Sequence, residues 1–136
     1  MRVLIIDDNR SNLELSVYLL TAFGHTTVAT DCAKNGLREA LRGAFDLVLA
    51  DIKLPDADGF QLAGKLKQIL GKIPIVALTA MAMAGDRNLA LAAGFDDYIV
   101  KPIDPIEFVP TLERIQASRS LARASARSTS QLMPSV

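Results

Sequence analysis

The chain has 136 residues, half of them apolar, which suits one domain built around one hydrophobic core. Fifteen basic and fifteen acidic side chains give a formal net charge of zero, so no global electrostatic field recruits nucleic acid. The lone Cys32 excludes an intramolecular disulfide, and no apolar stretch approaches the roughly 20 residues that span a bilayer. We therefore expect a soluble cytoplasmic protein that binds neither nucleic acid directly nor a membrane.

Five short apolar runs, each bounded by polar or turn residues, predict five β-strands. Runs of this kind are typical of parallel sheets that are covered on both faces, because neither side of the strand meets water. The predicted strands are residues 3–6, 26–29, 46–50, 75–78 and 98–100.

The segments between these runs have the apolar spacing of helices. In the first segment, Leu13, Val17 and Leu20 recur at three- and four-residue intervals, and Ser11 with Glu14 predicts a capping box. The predicted helices are residues 11–23, 31–41, 58–69, 86–93 and 104–116. The predicted N-caps of the later helices are Asp31, Asp58 or Gly59, Asp86 and Asp104. The alternation of strand and helix predicts right-handed crossovers and a three-layer α/β fold, with helices on both faces of a parallel sheet.

The composition changes abruptly after Gln116. Residues 117–136 are mostly Ser, Ala and Arg, and they include no acidic residue. Such a segment buries too little apolar surface to fold alone, so we expect one domain of residues 1–116 followed by a disordered tail. The four-residue spacing of Arg119, Arg123 and Arg127 leaves a basic helix formed on a partner as the alternative.

Polar side chains follow four of the five predicted strands, at the point where each strand ends. Because the carboxyl ends of parallel strands meet at one edge of a sheet, we expect these side chains to converge. They are Asp7 and Asp8 after the first strand, Asp51 after the third, Thr79 after the fourth, and Lys101 and Pro102 after the fifth.

Three carboxylates brought together in this way repel one another and raise one another's pKa unless a cation neutralises them. Oxygen ligands of this kind suit Mg²⁺, and Mn²⁺ is expected to substitute for it. An aspartate after a strand is, taken alone, more often an ordinary helix cap. The joint occurrence of Asp7, Asp8 and Asp51 at strand ends instead favours a metal-assisted phosphoryl site.

Four segments together resemble the response regulator receiver domain of two-component signalling, the family of the bacterial chemotaxis regulator, over residues 1–116. The segments are Val-Leu-Ile-Ile-Asp-Asp-Asn at 3–9, Leu-Val-Leu-Ala-Asp-Ile-Lys-Leu-Pro at 47–55, Ala-Leu-Thr-Ala at 77–80 and Tyr-Ile-Val-Lys-Pro at 98–102. The resemblance implies a doubly wound, flavodoxin-like (βα)5 fold with five parallel strands in the order 2-1-3-4-5. The patterns Asp-Asn-x-x-Asn at 8–12 and Thr-Ala-x-Ala at 79–82 are similar to those in receivers of hybrid kinases and of single-domain cell-cycle regulators.

The resemblance also implies a metal site and a phosphoryl acceptor. Asp51 is expected to accept the phosphoryl group. Asp8, Asp51 and the main-chain carbonyl of Lys53 are expected to bind Mg²⁺, while Asp7 holds metal-bound water.

Further residues acquire roles by the same resemblance. Thr79 and Lys101 are expected to contact the phosphoryl oxygens, and the peptide bond before Pro102 is expected to be cis. Thr79 and Tyr98 would form the switch that links the site to the surface made by the fourth helix, fifth strand and fifth helix. The alternative for Tyr98 is a half-buried strand aromatic with its hydroxyl in water.

The resemblance also implies that the lifetime of the phosphorylated state depends on Lys53 and Met81, which lie two residues beyond Asp51 and Thr79. Hydrolysis requires an aligned water, and Met81 has no polar group that holds one. We therefore expect slow dephosphorylation.

The implied function is a phosphorylation-dependent switch rather than an enzyme, although it supports its own phosphorylation and dephosphorylation. The expected partners are a sensor histidine kinase or histidine phosphotransfer protein as donor, and a downstream protein target. A monomer is expected, with dimerisation on activation left open. The chain is interpreted as a stand-alone receiver or as a receiver cut from a larger regulator or hybrid kinase.

Two other classes of protein compete with this interpretation. Phosphatases of the haloacid dehalogenase class also use an aspartyl nucleophile on a similar sheet, but Lys53 stands where their Asp-x-Asp pattern needs the second acid. A flavodoxin-like electron carrier needs a phosphate-cradling loop after its first strand. Here that loop carries Asp7 and Asp8, whose carboxylates repel the phosphate of FMN.

Overall fold

The protein is described from a computed structural model that covers residues 1–80 and 84–119. Five parallel strands form one sheet in the order β2-β1-β3-β4-β5, which confirms the predicted α/β fold and its strand order. The strands are β1 Arg2–Ile6, β2 Thr26–Thr30, β3 Leu47–Asp51, β4 Ile75–Thr79 and β5 Asp97–Val100. The helices are α1 Arg10–Ala22, α2 Ala33–Arg42, α3 Gly59–Leu70, α4 Ala84–Ala93 and α5 at 108–119.

Side chains of the central strands alternate between two hydrophobic cores, as the two-residue period of a strand requires. One core lies between the sheet and α2, α3 and α4, and it contains Leu4, Ile6, Val48, Ala50 and Leu66. The other lies between the sheet and α1 and α5, and it contains Val3, Ile5, Leu47, Leu49 and Leu112.

Burial on both faces is confirmed for the three central strands but not for the two edge strands. Every residue of β3 and β4 is buried, and so is every residue of β1 after Arg2. By contrast, all residues of β2 and β5 are partly or fully exposed. Each edge strand has a neighbour on one side only, so the helices beside it cover it less completely.

The predicted caps of the first two helices are wrong. The N-cap of α1 is Asn9, whose side chain accepts a hydrogen bond from the backbone N of Asn12, so Ser11 lies inside the helix. Glu14 is not part of a capping box and instead pairs with Arg10 at 3.1 Å. The N-cap of α2 is Cys32 rather than Asp31, and the side chain of Cys32 makes no capping bond.

Of the three later N-cap predictions, only that for α3 is confirmed. Asp58 is the N-cap of α3, as predicted, and its carboxylate accepts from the N of Phe60 at 2.8 Å. Asp86 is not an N-cap, since α4 already begins at Ala84. Asp104 is not an N-cap either, since α5 begins only at 108; its carboxylate accepts from the N of Ile106 and its main-chain carbonyl from the N of Phe108.

Helix α5 extends three residues beyond its predicted end at Gln116. Its last described residue, Arg119, donates to Asp96 Oδ1 at 2.5 Å. The rest of the predicted tail, residues 120–136, lies outside the described residues. Within 1–80 and 84–119, no helix is both long and apolar enough to cross a bilayer.

Candidate functional site

The carboxyl edge of the sheet brings the predicted site residues together. Asp7 and Asp8 follow β1 directly, while Asp51 and Thr79 are the last residues of β3 and β4. The register pairs Asp51 with Leu78 and Thr79 with Val100, so the ends of β3, β4 and β5 are level. One carboxylate oxygen from each of Asp7, Asp8 and Asp51 lies within 4.8 Å of the others. The predicted convergence of three carboxylates is therefore confirmed.

Lys101 supplies a positive charge at this cluster. Its Nζ donates to Asp51 Oδ2 at 2.8 Å and lies 3.7 Å from Asp7 Oδ2. The backbone N of Lys101 donates to the carbonyl of Thr79 at 2.7 Å, which fixes the chain as it leaves β5. The peptide bond between Lys101 and Pro102 is cis, as the resemblance implied. With all groups ionised, three carboxylates and one ammonium leave two negative charges uncompensated.

The surroundings of Asp7 shift the pKa of its carboxyl group. Its side chain is 1 % exposed, its Oδ1 accepts from the N of Asn9 at 2.9 Å, and its Oδ2 is buried without a hydrogen-bond partner. Burial, with the negative charge of Asp51 as a smaller cause, raises the pKa of Asp7 to about 6. The predicted direction is confirmed for this residue, although desolvation rather than repulsion is the main cause.

Asp51 is held by the loop that follows it, residues 52–58. The backbone N of Lys53 donates to Asp51 Oδ1 at 3.0 Å. The base of the loop is closed by a hydrogen bond of 2.9 Å from Gly59 N to the carbonyl of Ile52. A Cβ at position 59 would lie 2.3 Å from that carbonyl oxygen, so only glycine allows this closure. The loop therefore fixes both the Asp51 carboxylate and the backbone of Lys53.

The two predicted switch residues lie on neighbouring strands. Thr79 is buried at the end of β4. Tyr98 of β5 is half-buried against the core beneath α2, α3 and α4, and the guanidinium of Arg87 lies 5.5 Å from the centre of its ring. The position of Met81, predicted to tune dephosphorylation, lies outside the described residues.

Sequence reasoning missed Asp56, which lies in the loop after Asp51. Its carboxylate accepts hydrogen bonds from the N of Ala33 and of Lys34, and it therefore caps α2 from another loop. No local pattern signals this contact, because the partners are 23 and 22 residues apart in the sequence.

The donor set fits a divalent cation. Its carboxylate oxygens are the ligands that Mg²⁺ prefers, and the negative charge exceeds what Lys101 neutralises. Asp7 Oδ2 is a buried oxygen that still lacks a hydrogen-bond partner. A cation beside it would remove the cost of burying that charge.

Comparison with known proteins agrees with this arrangement. The family described as the response regulator receiver domain matches residues 3–113. The polar-differentiation response regulator DivK of Brucella ovis is 36% identical over 113 residues, which cover 82% of this chain and 92% of DivK. The sensor protein GacS of Pseudomonas syringae is 41% identical over 107 residues, which cover 75% of this chain but only 12% of GacS.

One solved structure carries a metal in the corresponding domain. It is the receiver domain of sensor histidine kinase PA1611 from Pseudomonas aeruginosa PAO1, with a magnesium ion coordinated in the active site cleft. It is 30% identical to this chain, with a TM-score of 0.77, and the match covers 85% of this chain and 97% of that one. The family match over residues 3–113, the sheet order and the carboxylate cluster show that the chain belongs to the response regulator receiver domains of two-component systems.

Proposed function

We propose that this receiver is a phosphorylation-dependent switch that accepts a phosphoryl group on Asp51 from a phosphohistidine donor. The donor is a sensor histidine kinase or a histidine phosphotransfer protein. The observation that carries the proposal is the position of Asp51, whose carboxylate lies beside two further carboxylates and 2.8 Å from the Lys101 ammonium.

Four groups would hold the metal: the carboxylates of Asp7, Asp8 and Asp51 and the main-chain carbonyl of Lys53. Asp8 and Asp51 would bind it directly, and Asp7 would hold water bound to it. Mg²⁺, or Mn²⁺ in its place, balances the negative charge of the phosphoryl oxygens when bound.

The residues of the chain perform the transfer mainly by position and charge. A carboxylate oxygen of Asp51 attacks phosphorus, so a P–O bond forms as the P–N bond to the donor imidazole breaks. The Lys101 ammonium stabilises the phosphoryl oxygens, since it already lies within hydrogen-bond distance of Asp51. The N of Lys53 keeps the carboxylate oriented through Asp51 Oδ1.

The phosphoryl group then changes the surface formed by α4, β5 and α5. Its oxygens are strong acceptors, so the Thr79 hydroxyl turns toward them and Tyr98 moves into the space behind it. Tyr98 is already half-buried beside Arg87 of α4. The exposed apolar side chains Leu89 and Val100 on α4 and β5 offer contact area to a downstream protein.

We further propose that the phosphorylated state decays slowly, because Met81 offers no group that orients a hydrolytic water near Asp51. The stem of Lys53 also covers the approach. Decay of the purified phosphoprotein in Mg²⁺ should accelerate in the double variant Lys53→Asn/Met81→Glu. Equal decay rates in the variant and the wild type would contradict this part of the proposal.

The phosphoacceptor role is tested with candidate phosphohistidine donors. Wild-type protein should take up the phosphoryl group, and the nearly isosteric Asp51→Asn variant should not, because an amide does not form the acyl phosphate. Asp46→Asn is the matched control, since Asp46 accepts from the N of Arg2 at the opposite edge of the sheet and should leave transfer unchanged. Phosphoryl transfer to Asp51→Asn at the wild-type rate would overturn the assignment.

The identity of the preferred phosphoryl donor would show whether the receiver acts alone or within a larger protein. DivK is almost fully covered by this chain, whereas the chain spans 12% of GacS, which is 41% identical over the matched residues. The match to GacS supports the alternative that this receiver is part of a hybrid kinase. Ranking transfer rates from several donors distinguishes the two, because a hybrid-kinase receiver should prefer the kinase that carries it.

A further inference from the structure

The loop at 52–58 is fastened to helix α2 through a single side chain. Asp56 Oδ1 accepts a hydrogen bond from the N of Ala33 at 2.8 Å, and Oδ2 accepts one from the N of Lys34 at 3.0 Å. These are the first two backbone N–H groups of α2, whose own N-cap residue, Cys32, makes no side-chain cap. The N–H groups of Lys34 and Ala33 lower the pKa of Asp56, so the carboxylate remains charged at neutral pH.

This contact joins the two loops that flank the carboxylate cluster. The loop between β2 and α2 begins after Thr30, whose carbonyl accepts from the N of Asp7 at 3.0 Å. The loop at 52–58 begins after Asp51 and supplies the N of Lys53 to the Asp51 carboxylate. Asp56 therefore connects the backbone beside Asp7 to the backbone beside Asp51.

The contact also holds the part of the loop that lies between its two closures. At its base, the loop is closed by the Gly59–Ile52 hydrogen bond and by an antiparallel bridge between Lys53 and Asp58. Both closures act near the ends of 52–58. The bonds of Asp56 to α2 act between these ends and fasten the loop to a second element of the fold.

We propose that Asp56 is a positioning residue for the phosphorylation site. By fastening the loop to α2, it holds the main-chain carbonyl of Lys53 and the carboxylate of Asp51 where a divalent cation needs them. Asp56 itself does not contact the cation or the phosphoryl group. This inference rests on the function proposed above, and it assigns the support of that site to a residue outside the carboxylate cluster.

The first test is the affinity for Mg²⁺ of the wild type and of Asp56→Ala, measured by calorimetric titration with MgCl₂ at pH 7. Removing a group that orients a metal ligand typically lowers metal affinity by about 10- to 100-fold, so we expect Asp56→Ala to bind Mg²⁺ about tenfold more weakly. Asp56→Asn keeps an acceptor oxygen for one of the two N–H groups and should lie between the two. It also keeps the test informative if the alanine variant does not fold.

A matched variant separates positioning from simple helix stability. In the Asp56→Ala background, Cys32→Ser places a hydroxyl at the N-cap of α2, which restores a cap within the helix but no link to the loop. Urea unfolding should show that this second change recovers stability. The titration should show that Mg²⁺ affinity stays weak.

The outcomes are distinguishable. Equal Mg²⁺ affinity in wild type and Asp56→Ala would overturn the positioning role while leaving the proposed function intact. So would recovery of affinity together with stability in the Cys32→Ser/Asp56→Ala protein, because helix capping alone would then explain the effect. A wild-type protein that binds no Mg²⁺ would overturn the proposed function, and the positioning role with it.

Discussion

Asp7, which is buried, and Asp96, which is partly buried, lie at opposite edges of the sheet and have opposite surroundings. Asp96, between α4 and β5, accepts from Lys67 Nζ at 2.5 Å and Ile75 N at 2.8 Å on one oxygen, and from Arg119 on the other. Asp7, at the carboxyl edge, has one oxygen without a hydrogen-bond partner and lies beside the carboxylates of Asp8 and Asp51.

The difference separates a carboxylate whose hydrogen bonds stabilise the fold from one whose surroundings would suit a bound cation. The donors around Asp96 come from α3, β4 and α5, so that carboxylate ties three elements together. The surroundings of Asp7 instead disfavour its ionised form, which lowers the stability of the folded protein when Asp7 is charged. A cost of this kind is characteristic of sites where a bound ion supplies the missing compensation.

The largest predicted effect is the pH dependence of the metal-free protein. The pKa of Asp7 is about 6 in the folded state, against 3.8 as its ordinary value, so the folded protein binds this proton more tightly than the unfolded chain. The stability that this proton contributes is complete below the ordinary value and is lost as pH rises through 6. A shift of this size corresponds to about 3 kcal/mol at most.

Urea unfolding in EDTA between pH 4 and pH 7 measures this effect, with Asp7→Asn as the reference that lacks the titrating group. The free energy of unfolding of the wild type should fall relative to that of the variant as pH rises. A constant difference across this range would show that Asp7 titrates normally.

The second prediction sets the two aspartates against each other by the same isosteric change. In metal-free buffer at pH 7, Asp96→Asn should lower the free energy of unfolding by about 2 kcal/mol, because two cations lose their charged acceptor. This figure allows for the partial exposure of Lys67 and Arg119. Asp7→Asn should raise the free energy of unfolding. Changes of the same sign in the two variants would contradict the comparison.

The smallest effect concerns the end of α5. Deletion of residues 117–136 removes Arg119 and its bond to Asp96, whereas deletion of 120–136 keeps both. We expect the longer deletion to cost about 1 kcal/mol more, since a partly exposed ion pair contributes little. Thermal melting of the two truncated proteins measures the difference. Equal melting temperatures would show that Arg119 does not stabilise α5.

The carboxylate cluster was predictable because it depends on local pattern and one topological rule. The apolar run before Asp51 predicts a buried strand, and parallel strands end at a common edge. Such runs consist of residues that are adjacent in the sequence, so they can be recognised without knowledge of the fold. The strand order, by contrast, was implied by the resemblance to receiver domains, because the alternation of strand and helix alone leaves several orders open.

The helix ends were less predictable, because residues distant in sequence decide them. Asp31 has the right chemistry to cap α2, yet Asp56 provides the bonds from 23 residues away. Similarly, α5 continues past Gln116, where Arg119 meets Asp96 across the fold. Nothing in the residues adjacent to Asp31 or Arg119 encodes those contacts. The burial that raises the pKa of Asp7 likewise depends on packing of the whole domain.

The proposal that the uncompensated carboxylates at the sheet edge form a metal-dependent phosphoryl acceptor has a direct chemical readout. It is tested most directly by incubating the protein with acetyl phosphate and locating any added phosphoryl group by tandem mass spectrometry, in Mg²⁺ and in EDTA. We expect one phosphoryl group on Asp51 in Mg²⁺ and none in EDTA. A phosphoryl group on another residue, or equal labelling of Asp51 without the metal, would contradict it.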